Sequence, residues 1–485
     1  MTLRLDQWLH DLPDVPTLAV RDLVLDSRQA SAGDVFIALA GSQDDGAAHL
    51  ADAQRRGAVV ALVERPVPSA PLPVVVVPQL KREVGARAAA FYGKPGDAVR
   101  CIGITGTNGK TSIAYYLADL ASRLGQRCGY LGTIGWGEVG GLVDAGLTTP
   151  DPVMLQRRLA ALRDRGVRWV AMEVSSHALD QGRVNAVPFR AAAFSNLTRD
   201  HLDYHGTMQA YAAAKARLFA WPTLETVAVN VDDPFGRELT GRIDPGVQCL
   251  TCGAQQNVAS PMVAWSNLRF DLNGVRGRWH TPWGETDFAL PVHAPFSVAN
   301  VAIALALLGD AGASLHDIGH AARTLAQVPG RLEYLRAAGR PTVVIDFAHT
   351  PDALLQVLTT LKQRSHGRLV CVFGCGGDRD RGKRSLMAAA AETAADVVWL
   401  TSDNPRSEDP LAIIADMRAG ISGRVCAREE PDRRRAIAAA IADASAEDIV
   451  LIAGKGHEAY QDIGGVRTPF SDREIALEYL AEGAA

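Results

Sequence analysis

The sequence predicts an α/β fold with largely parallel sheets, divided over three domains. Short β-branched runs alternate with longer Ala- and Leu-rich segments of helical character, which is typical of parallel sheets covered by helices. Several runs end directly in polar or glycine-rich loops, as strands do where α/β sheets bind ligands. The length of 485 residues suggests three domains, at roughly 100–200 residues for each domain.

Ten short apolar runs are the candidate buried strands, and one apolar run is a candidate buried helix. The strand candidates are residues 59–63, 74–77, 101–104, 169–173, 191–195, 227–230, 343–346, 369–373, 397–400 and 449–453. The helix candidate is residues 301–309. It is far shorter than the ~18–20 residues that a membrane span needs.

Turn-forming and helix-ending segments predict the domain boundaries. Residues 92–98 are rich in Gly and Pro before a new strand, and a helical stretch stops near residues 328–331. We therefore expect domains at 1–97, 98–330 and 331–485. Residues 261–295 alternate in short segments, which predicts a small antiparallel sheet inserted into the central domain. The last third predicts a doubly wound, Rossmann-like sheet.

Composition excludes several classes of protein. The chain is 47% hydrophobic and 21% charged, as in globular proteins, and its net charge of −4 gives no sign of nucleic-acid affinity. Acidic residues interrupt the N-terminus where an export signal would be apolar. Seven scattered cysteines are expected to be reduced. We expect a cytoplasmic protein without a membrane span.

The strongest local signal is a phosphate-binding loop. Residues 106–112 read Gly-Thr-Asn-Gly-Lys-Thr-Ser and lie between a predicted strand and a predicted helix. Glycines let backbone N–H groups surround phosphate oxygens, while Lys110 supplies a cation and Thr111 a possible magnesium ligand. The general P-loop spacing requires glycine at position 104, which is Ile104, so the loop is a shortened variant.

Two further strand ends carry groups that can bind a metal. Glu173 ends a predicted strand, where its carboxylate suits Mg²⁺ or could instead cap the following helix. Asp200, His201, Asp203 and His205 follow another strand within six residues. This cluster fits a metal site and equally a loop whose side chains cap one another.

Lys215 lies in an Ala-rich segment that is predicted to be helical. On the sequence alone, a lysine in such a segment is most simply interpreted as a solvated surface residue. Nothing in its local pattern indicates a catalytic role.

Four polar loops follow strands in the last third of the chain. They are residues 346–352, 374–384, 401–406 and 454–458. Loops at successive strand ends of a doubly wound sheet converge on one rim, which predicts a site for a small, multiply charged molecule.

Seven motifs in these segments resemble those of the Mur ligases and occur in the same order. They begin at Gly106, Glu173, Asn196, Asp346, Gly376, Asp403 and Gly454. The likeness extends from Asp26 to near the C-terminus and so covers nearly the whole chain.

The resemblance implies an ATP-dependent amide ligase of peptidoglycan precursor synthesis, and thus a part in cell-wall biogenesis, cell shape and cell division. The enzyme would add meso-diaminopimelate to the D-glutamyl carboxylate of UDP-N-acetylmuramoyl-L-alanyl-D-glutamate through an acyl phosphate. ATP and Mg²⁺ are the implied cofactors, and these two substrates are the implied partners of a monomer. The three domains would bind the UDP-muramoyl substrate, ATP with Mg²⁺, and the amino acid, in that order.

The resemblance also implies residue roles in the central site. Catalysis would depend on Lys110, Glu173, His201 and Lys215, with Thr111, Glu173, His201 and carbamylated Lys215 as the metal ligands. The implied ATP-binding residues are Gly106, Thr107, Asn108, Gly109, Lys110, Thr111, Ser112, Asn300, Arg331, Asp346 and His349.

The implied substrate residues form three groups. Those for uridine are Leu25, Ser27, Ser42, Gln43 and Asp44, and those for diphosphate and muramoyl peptide are Thr148, Thr149, Ser175, Gln181 and Arg183. Those for diaminopimelate are Arg379, Asp403, Asn404, Pro405, Arg406, Gly454 and Glu458. Arg406 suits the distal carboxylate that distinguishes diaminopimelate from lysine, because a guanidinium binds a carboxylate through two parallel hydrogen bonds.

Three other functions are less consistent with these motifs than the ligase. A folylpolyglutamate synthetase-like ligase would share the phosphate loop and the carbamylated lysine. It would have no counterpart to the Asp403 motif or to the N-terminal uridine-binding domain. A non-catalytic nucleotide-binding protein would be indicated by losses at the catalytic positions, and none is lost. A P-loop GTPase or kinase is weaker still, since no guanine-reading Asn-Lys-x-Asp motif follows the loop.

Overall fold

The computed structural model describes residues 3–40, 45–144, 146–256, 260–271 and 273–481, and the fold is α/β with mainly parallel sheets, as predicted. The chain forms two compact units. The first comprises the residues up to Gly103, Gln126–Ala192 and Arg217–Glu225. The second comprises Ile104–Gly125, Ala193–Ala216 and the chain from Thr226 onward.

The first part of the chain, up to the end of its eleventh strand, alternates strands and helices. Its elements are β1 (Leu3–Arg4), α1 (Leu5–Trp8), β2 (Ala19–Val20), β3 (Leu23–Val24), β4 (Val35–Ala38), α2 (Leu50–Arg55), β5 (Val60–Val63), β6 (Val74–Val76), α3 (Leu80–Phe91), α4 (Pro95–Ala98), β7 (Arg100–Thr105), α5 (Lys110–Arg123), β8 (Cys128–Gly132), β9 (Gly135–Glu138), α6 (Pro152–Asp164), β10 (Trp169–Glu173), α7 (Ser176–Asp180) and β11 (Phe189–Phe194).

The rest of the chain continues the alternation. Its elements are α8 (Leu202–His205), α9 (Met208–Ala216), β12 (Thr226–Asn230), α10 (Pro234–Thr240), β13 (Gln248–Ala254), β14 (Val263–Asp271), β15 (Gly274–Thr281), β16 (Gly284–Leu290), α11 (Pro295–Asp310), α12 (Leu315–Ala322), β17 (Glu333–Leu335), β18 (Thr342–Asp346), α13 (Pro351–Lys362), β19 (Leu369–Phe373), α14 (Gly382–Ala394), β20 (Val397–Leu400), α15 (Pro410–Arg418), β21 (Cys426–Glu429), α16 (Arg433–Asp443), β22 (Ile449–Ala453), β23 (Tyr460–Ile463), β24 (Val466–Pro469) and α17 (Asp472–Ala481). Short 3₁₀ turns lie at Ser27–Gln29, Gly46–His49 and Arg217–Ala220.

Several helices begin with the same local device, a capping side chain followed by proline. Asp151, Asp233, Thr350 and Asp409 each accept hydrogen bonds from the first turn of the helix that follows. The proline at the first helical position lacks an N–H that would otherwise be unsatisfied there, and its φ is already helical. These pairs fix where α6, α10, α13 and α15 begin.

The first unit contains a parallel four-stranded sheet in the order β3-β4-β5-β6. One face packs a core that includes Leu5, Val35, Leu62 and Phe91. In the same unit, β10 pairs in parallel with β8, and β8 pairs antiparallel with β9.

In the second unit, β12, β13 and β14 pair in parallel, whereas β14, β15 and β16 pair antiparallel. The predicted small antiparallel sheet between residues 261 and 295 is therefore confirmed, and its strands belong to the same sheet as β12 and β13. The antiparallel strands extend the parallel sheet through β14. This strand pairs in parallel with β13 on one edge and antiparallel with β15 on the other. Their core contains Trp279, which stacks on Phe288 with ring centroids 4.2 Å apart.

The second unit also contains a six-stranded sheet in the order β17-β18-β22-β19-β20-β21, parallel except for β17. Alternate residues of its strands pack into two different cores, with Val344 and Cys371 in one and Val343 and Val370 in the other. Helices thus cover both faces, as a doubly wound sheet requires. The strands before the four polar loops are neighbours, so the predicted convergence of these loops is confirmed.

All ten predicted strands are present, with ends that differ from the predicted ones by at most two residues. The predicted buried helix lies within α11, whose residues from Val301 to Gly309 are all buried. Within the described ranges, no helix has both the length and the apolar character needed to cross a membrane.

Candidate active site

The phosphate loop connects β7 to α5 in a conformation that glycine alone accommodates. A Cβ atom on Gly106 would lie 1.9 Å from Ser195 Oγ. Gly109 has a φ of +85°, and a Cβ there would lie 2.7 Å from Asn300 Oδ1. A side chain at either position would therefore force the loop or its neighbours to move.

The segment that follows β11 holds this loop in place. Asn108 N donates to Asn196 Oδ1 at 2.9 Å, and Thr107 N donates to Asn196 O at 2.8 Å. Thr198 N donates to Thr107 Oγ1 at 2.9 Å, while Ser195 Oγ donates to Asn108 O at 2.5 Å. Hydrogen bonds from the Asn196 motif thus fix the conformation of the phosphate loop, so the two motifs are in direct contact.

The side chain of Lys110 contacts the backbone of the loop, and the side chain of Thr111 contacts Arg331. Lys110 Nζ donates to the carbonyl oxygens of Gly106 at 3.0 Å and Thr107 at 2.7 Å. Thr111 is 3% exposed, and its Oγ1 accepts from Arg331 Nη2 at 3.0 Å. The loop therefore gathers two cations, as a polyphosphate site requires.

Lys215, on α9, is 1% exposed, so the interpretation of a solvated surface lysine is wrong. Its Nζ donates to Gly106 O at 2.7 Å and lies 4.4 Å from the centre of the Tyr211 ring. Burial holds the pKa of Lys215 well below its usual range, and the positive charge of Lys110 acts in the same direction. The structure thus favours the uncharged amine.

The cluster that begins at Asp200 is mostly a loop whose groups bind one another. His201 N donates to Asp200 Oδ1 at 2.9 Å, and His201 Nε2 lies 3.4 Å from Asp200 Oδ2. Asp203 is exposed. Burial alone would raise the pKa of Asp200, but nearby positive charges, that of His201 first, outweigh burial and lower it.

Arg331, Asp346 and His349 lie close together beside the phosphate loop. The Arg331 guanidinium lies over the Phe347 ring at 4.4 Å, and its Nε is buried without a hydrogen-bond partner among the described residues. Asp346 accepts from the backbone of Leu332 and Ala348, both at 2.7 Å. Burial lowers the pKa of His349 to about 4, so its imidazole is neutral near pH 7.

In the first unit, Glu173 is completely buried at the end of β10. Its Oε1 accepts from Tyr130 Oη at 2.5 Å and from Thr133 N at 2.8 Å, and its Oε2 accepts from Thr133 Oγ1 at 3.1 Å. It does not cap α7, because the N-cap is Ser175, whose hydroxyl accepts from Ala178 N. The carboxylate is thus held by β8 and the turn after it.

The residues implied for the muramoyl peptide form a connected network in the same unit. Thr149 Oγ1 donates to Glu173 O at 2.8 Å and accepts from Ser175 N at 3.1 Å. Arg183 Nη1 donates to Thr149 O at 3.0 Å, and Arg183 Nε donates to Gln181 Oε1 at 2.8 Å. Thr148 joins the network separately, since its hydroxyl lies 3.0 Å from that of Thr133.

The residues implied for uridine are described only in part. Leu25 is half-buried against the core of the β3–β6 sheet. Ser27 is buried, and its Oγ donates to Asp52 Oδ2 at 2.9 Å. Ser42, Gln43 and Asp44 lie outside the described residues.

The Asp403 motif follows β20 and meets the Gly454 motif that follows β22. Asn404 is 2% exposed, and its Nδ2 donates to Glu458 Oε2 at 2.8 Å. A Cβ on Gly454 would lie 2.8 Å from Asp403 Oδ2, so only glycine lets the two segments approach this closely. The two predicted motifs thus share one rim of the sheet.

Two arginines approach the same rim from neighbouring loops. Arg406, with a φ of +52°, follows Pro405, and its Nη1 donates to Gly377 O at 2.7 Å. Arg379 is exposed in the loop after β19. Arg379 is thus exposed and Arg406 is half-buried, so neither residue is enclosed.

Sequence reasoning missed several residues that support these groups. Lys455, inside the Gly454 motif, is completely buried, and Lys383, in the first turn of α14, donates to His349 O at 2.9 Å. Tyr130 had no signal, since a single aromatic in a strand usually indicates core packing. A lysine enclosed by glycines before an acidic residue was the one available clue to Lys455.

Within the described part of the chain, no three His, Cys, Asp or Glu side chains are grouped as metal ligands would be. Magnesium at the phosphate loop would therefore depend on other oxygens. Thr111 offers a buried hydroxyl, and the buried amine of Lys215 would offer two oxygens once carbamylated. The loop side chains thus offer Mg²⁺ the Thr111 hydroxyl, and carbamylation of Lys215 would add a carboxylate-like ligand.

Comparison with known proteins agrees with this arrangement. Residues 104–308 match the Mur ligase middle domain, and residues 330–456 match the Mur ligase glutamate ligase domain. UDP-N-acetylmuramoyl-L-alanyl-D-glutamate--2,6-diaminopimelate ligases of Ectopseudomonas mendocina (strain ymp) and of Pseudomonas aeruginosa PAO1 are similar along almost their whole length. The first is 50% identical over 95% of each chain, and the second is 47% identical over 96% of each chain. A solved structure of an enzyme with the same name is 37% identical, covers 100% of both chains and has a TM-score of 0.70. The chain therefore belongs to the Mur ligase family.

Proposed function

We propose that the chain is an ATP-dependent ligase that joins meso-diaminopimelate to the D-glutamyl carboxylate of UDP-N-acetylmuramoyl-L-alanyl-D-glutamate. The observation that carries this proposal is 50% identity to a ligase named for these substrates over 95% of the chain. The Asp403 motif, with its accessible arginine, supports the choice of amino acid. Peptidoglycan precursor synthesis is the corresponding process.

The phosphate loop is the proposed ATP site. Lys110 and the loop N–H groups would bind the phosphates, and the unpaired Nε of Arg331 beside Thr111 is a further donor for an anion. Asn300, Asp346 and His349 are proposed to contact the rest of the nucleotide. ATP supplies the phosphoryl group that turns the poorly reactive carboxylate into an acyl phosphate, with phosphate as the later leaving group.

Lys215 is proposed to be carbamylated. Its uncharged amine can attack CO₂, so that a bond forms from nitrogen to carbon and one proton is released, which leaves a carbamate anion. This change replaces a buried neutral amine with a buried anion, whose negative charge the nearby Lys110 helps to balance. We propose Thr111, His201 and Lys215 as Mg²⁺ ligands, and we propose the same role for Glu173; bound Mg²⁺ would neutralise charge on the phosphates.

The first unit is proposed to hold the nucleotide-linked peptide. Arg183 provides a cation, and Thr148, Thr149, Ser175 and Gln181 provide hydroxyl, amide and backbone groups around it. Leu25, Ser27 and residues 42–44 keep their proposed role with uridine.

The rim of the six-stranded sheet is proposed to select diaminopimelate. Arg406 would bind the distal carboxylate through two hydrogen bonds, and Arg379 would bind the carboxylate nearer to the reacting amine. Asp403 and Glu458 would accept from the distal ammonium, next to Asn404, Pro405 and Gly454. A lysine substrate would leave Arg406 without its partner, and such a mismatch can cost roughly 10⁴–10⁵ in kcat/KM.

We further propose that the enzyme works in the cytoplasm as a monomer. The division into three domains at residues 1–97, 98–330 and 331–485 is retained as a proposal. Each domain would carry one ligand: the UDP-muramoyl substrate, ATP or the amino acid.

Phosphate release tests the proposed function. The purified chain is given ATP, Mg²⁺, the UDP-muramoyl dipeptide and meso-diaminopimelate, and each component is omitted in turn. We expect release only when all are present, with a product whose mass equals that of the tripeptide precursor. Equal release without the dipeptide or without the amino acid would contradict the proposal.

A further inference from the structure

A buried lysine that has no assigned role lies behind the rim where diaminopimelate is proposed to bind. Lys455 is 0% exposed, and its Nζ donates to Asn404 Oδ1 and to Glu458 Oε2, both at 3.0 Å. The Tyr460 ring lies 5.4 Å from the same nitrogen. A fully buried cation is costly unless it is paired, so these contacts explain how the structure tolerates it.

The lysine fixes the orientation of the Asn404 amide. Asn404 Oδ1 accepts from Lys455 Nζ and also from Asp462 N at 3.0 Å. Rotating the amide by half a turn would place its NH₂ group against two donors. With the oxygen held there, Nδ2 faces Glu458 and donates to Oε2 at 2.8 Å.

The same contacts differentiate the two oxygens of Glu458. Its Oε2 accepts from both Lys455 and Asn404, whereas Oε1 has no hydrogen-bond partner among the described residues. The side chain is 22% exposed, so one oxygen is anchored inside while the carboxylate still reaches the surface. An ammonium group is the natural partner for the remaining oxygen.

We propose that Lys455 is a positioning residue for amino-acid selection: it holds Asn404 and Glu458 so that Glu458 Oε1 faces the ammonium group of the incoming amino acid. This inference rests on the proposed function. Lys455 itself does not touch the substrate, since both of its polar contacts are buried behind the rim. Its effect is on the affinity for the amino acid and not on the phosphate loop.

The test is steady-state kinetics of Lys455→Met with each substrate varied in turn. We expect KM for meso-diaminopimelate to rise about tenfold or more, as for loss of a hydrogen bond to a charged group. KM for ATP and for the UDP-muramoyl dipeptide should stay within about twofold, and Lys455→Arg should recover part of the loss. Lys362→Met is the matched control, because Lys362 also pairs with a carboxylate, that of Asp396, but lies away from the rim. An unchanged KM for meso-diaminopimelate, or an equal rise in all three KM values, would overturn the proposal.

A double variant keeps the test valid if Lys455→Met does not fold. Lys455→Met/Glu458→Gln leaves no unpaired buried carboxylate, and it is compared with Glu458→Gln alone. Because Lys455 acts through Glu458, both variants should have similar KM values for meso-diaminopimelate; a further tenfold rise in the double variant would contradict this. If the wild-type protein releases no phosphate, the proposed function and this inference are both refuted. If the wild type is active but Lys455→Met raises all three KM values equally, only the inference is refuted.

Discussion

Two glycines at opposite ends of α5 allow the close packing of the phosphate loop to be measured separately from backbone strain. Gly109 precedes the helix with a φ of +85°, and Gly125 follows it with a φ of +82°. A Cβ on Gly109 would lie 2.7 Å from Asn300 Oδ1, whereas a Cβ on Gly125 would have nothing within 4 Å. Alanine at either position therefore has the same backbone cost, but only at Gly109 does it also displace a neighbour.

The expected magnitudes follow from this comparison. Left-handed backbone costs an alanine about 1–2 kcal/mol, which corresponds to a melting temperature lower by roughly 1.5–3 °C for a unit of about 300 residues. Gly109→Ala must also move the Asn300 side chain off its position, at about 0.5–1.5 kcal/mol. If this cost falls on the nucleotide-bound state, KM for ATP rises by up to about tenfold.

The assay is phosphate release at varied ATP, together with thermal unfolding of both variants. We expect both to unfold at lower temperature and only Gly109→Ala to have a raised KM for ATP. Gly125→Ala serves as the control, since it changes the same helix without touching the loop. Equal KM values for ATP in the two variants would refute the reasoning that ties the loop geometry to nucleotide binding.

Three further predictions concern charge. Arg406→Ala should lower kcat/KM for meso-diaminopimelate by about 100-fold, because it removes a charge-assisted hydrogen-bonded pair. ATP binding, measured by calorimetry, should not change. An unchanged kcat/KM would contradict the role of Arg406. Lys215→Ala should lower kcat by at least about 100-fold, and added bicarbonate should not raise the kcat of this variant. In contrast, bicarbonate should restore the activity of wild-type enzyme that has been depleted of CO₂. Full turnover by Lys215→Ala would exclude a catalytic carbamate. Burial lowers the pKa of His293 to about 4 from 6.5, so the unfolded chain binds a proton that the folded chain does not, and stability is lost as pH falls from 6.5 towards 4. Urea unfolding at pH 7 and pH 5 should show a smaller loss for His293→Phe, and an identical loss would contradict this.

Most of the secondary structure could be predicted because it depends on local patterns. The strand Trp169–Glu173 was predicted with its observed bounds, since an apolar run between a glycine turn and polar residues is a strong strand signal. The helix after the phosphate loop follows from its apolar spacing. The antiparallel strands β14–β16 were also recognised, but the pairing of β14 with β13 depends on residues distant in sequence and leaves no local mark.

The site was predictable as a set of motifs but not as a set of contacts. From the sequence alone, Lys215 is interpreted as a surface residue because lysine is rarely buried, and only the fold shows that Lys215 and Lys455 are both enclosed. Arg331 donates to Thr111 across 220 positions in the chain, a contact that no local pattern encodes. Sequence motifs thus identify which residue types matter, whereas burial and pairing decide how each one is charged and oriented.

The choice between meso-diaminopimelate and L-lysine tests the central claim most directly. Both amino acids are supplied in equal concentration with ATP, Mg²⁺ and the UDP-muramoyl dipeptide, and the products are separated by mass. Because only meso-diaminopimelate has a distal carboxylate to pair with Arg406, we expect the diaminopimelate product to exceed the lysine product by at least about 10⁴. Comparable amounts of the two products would contradict the account.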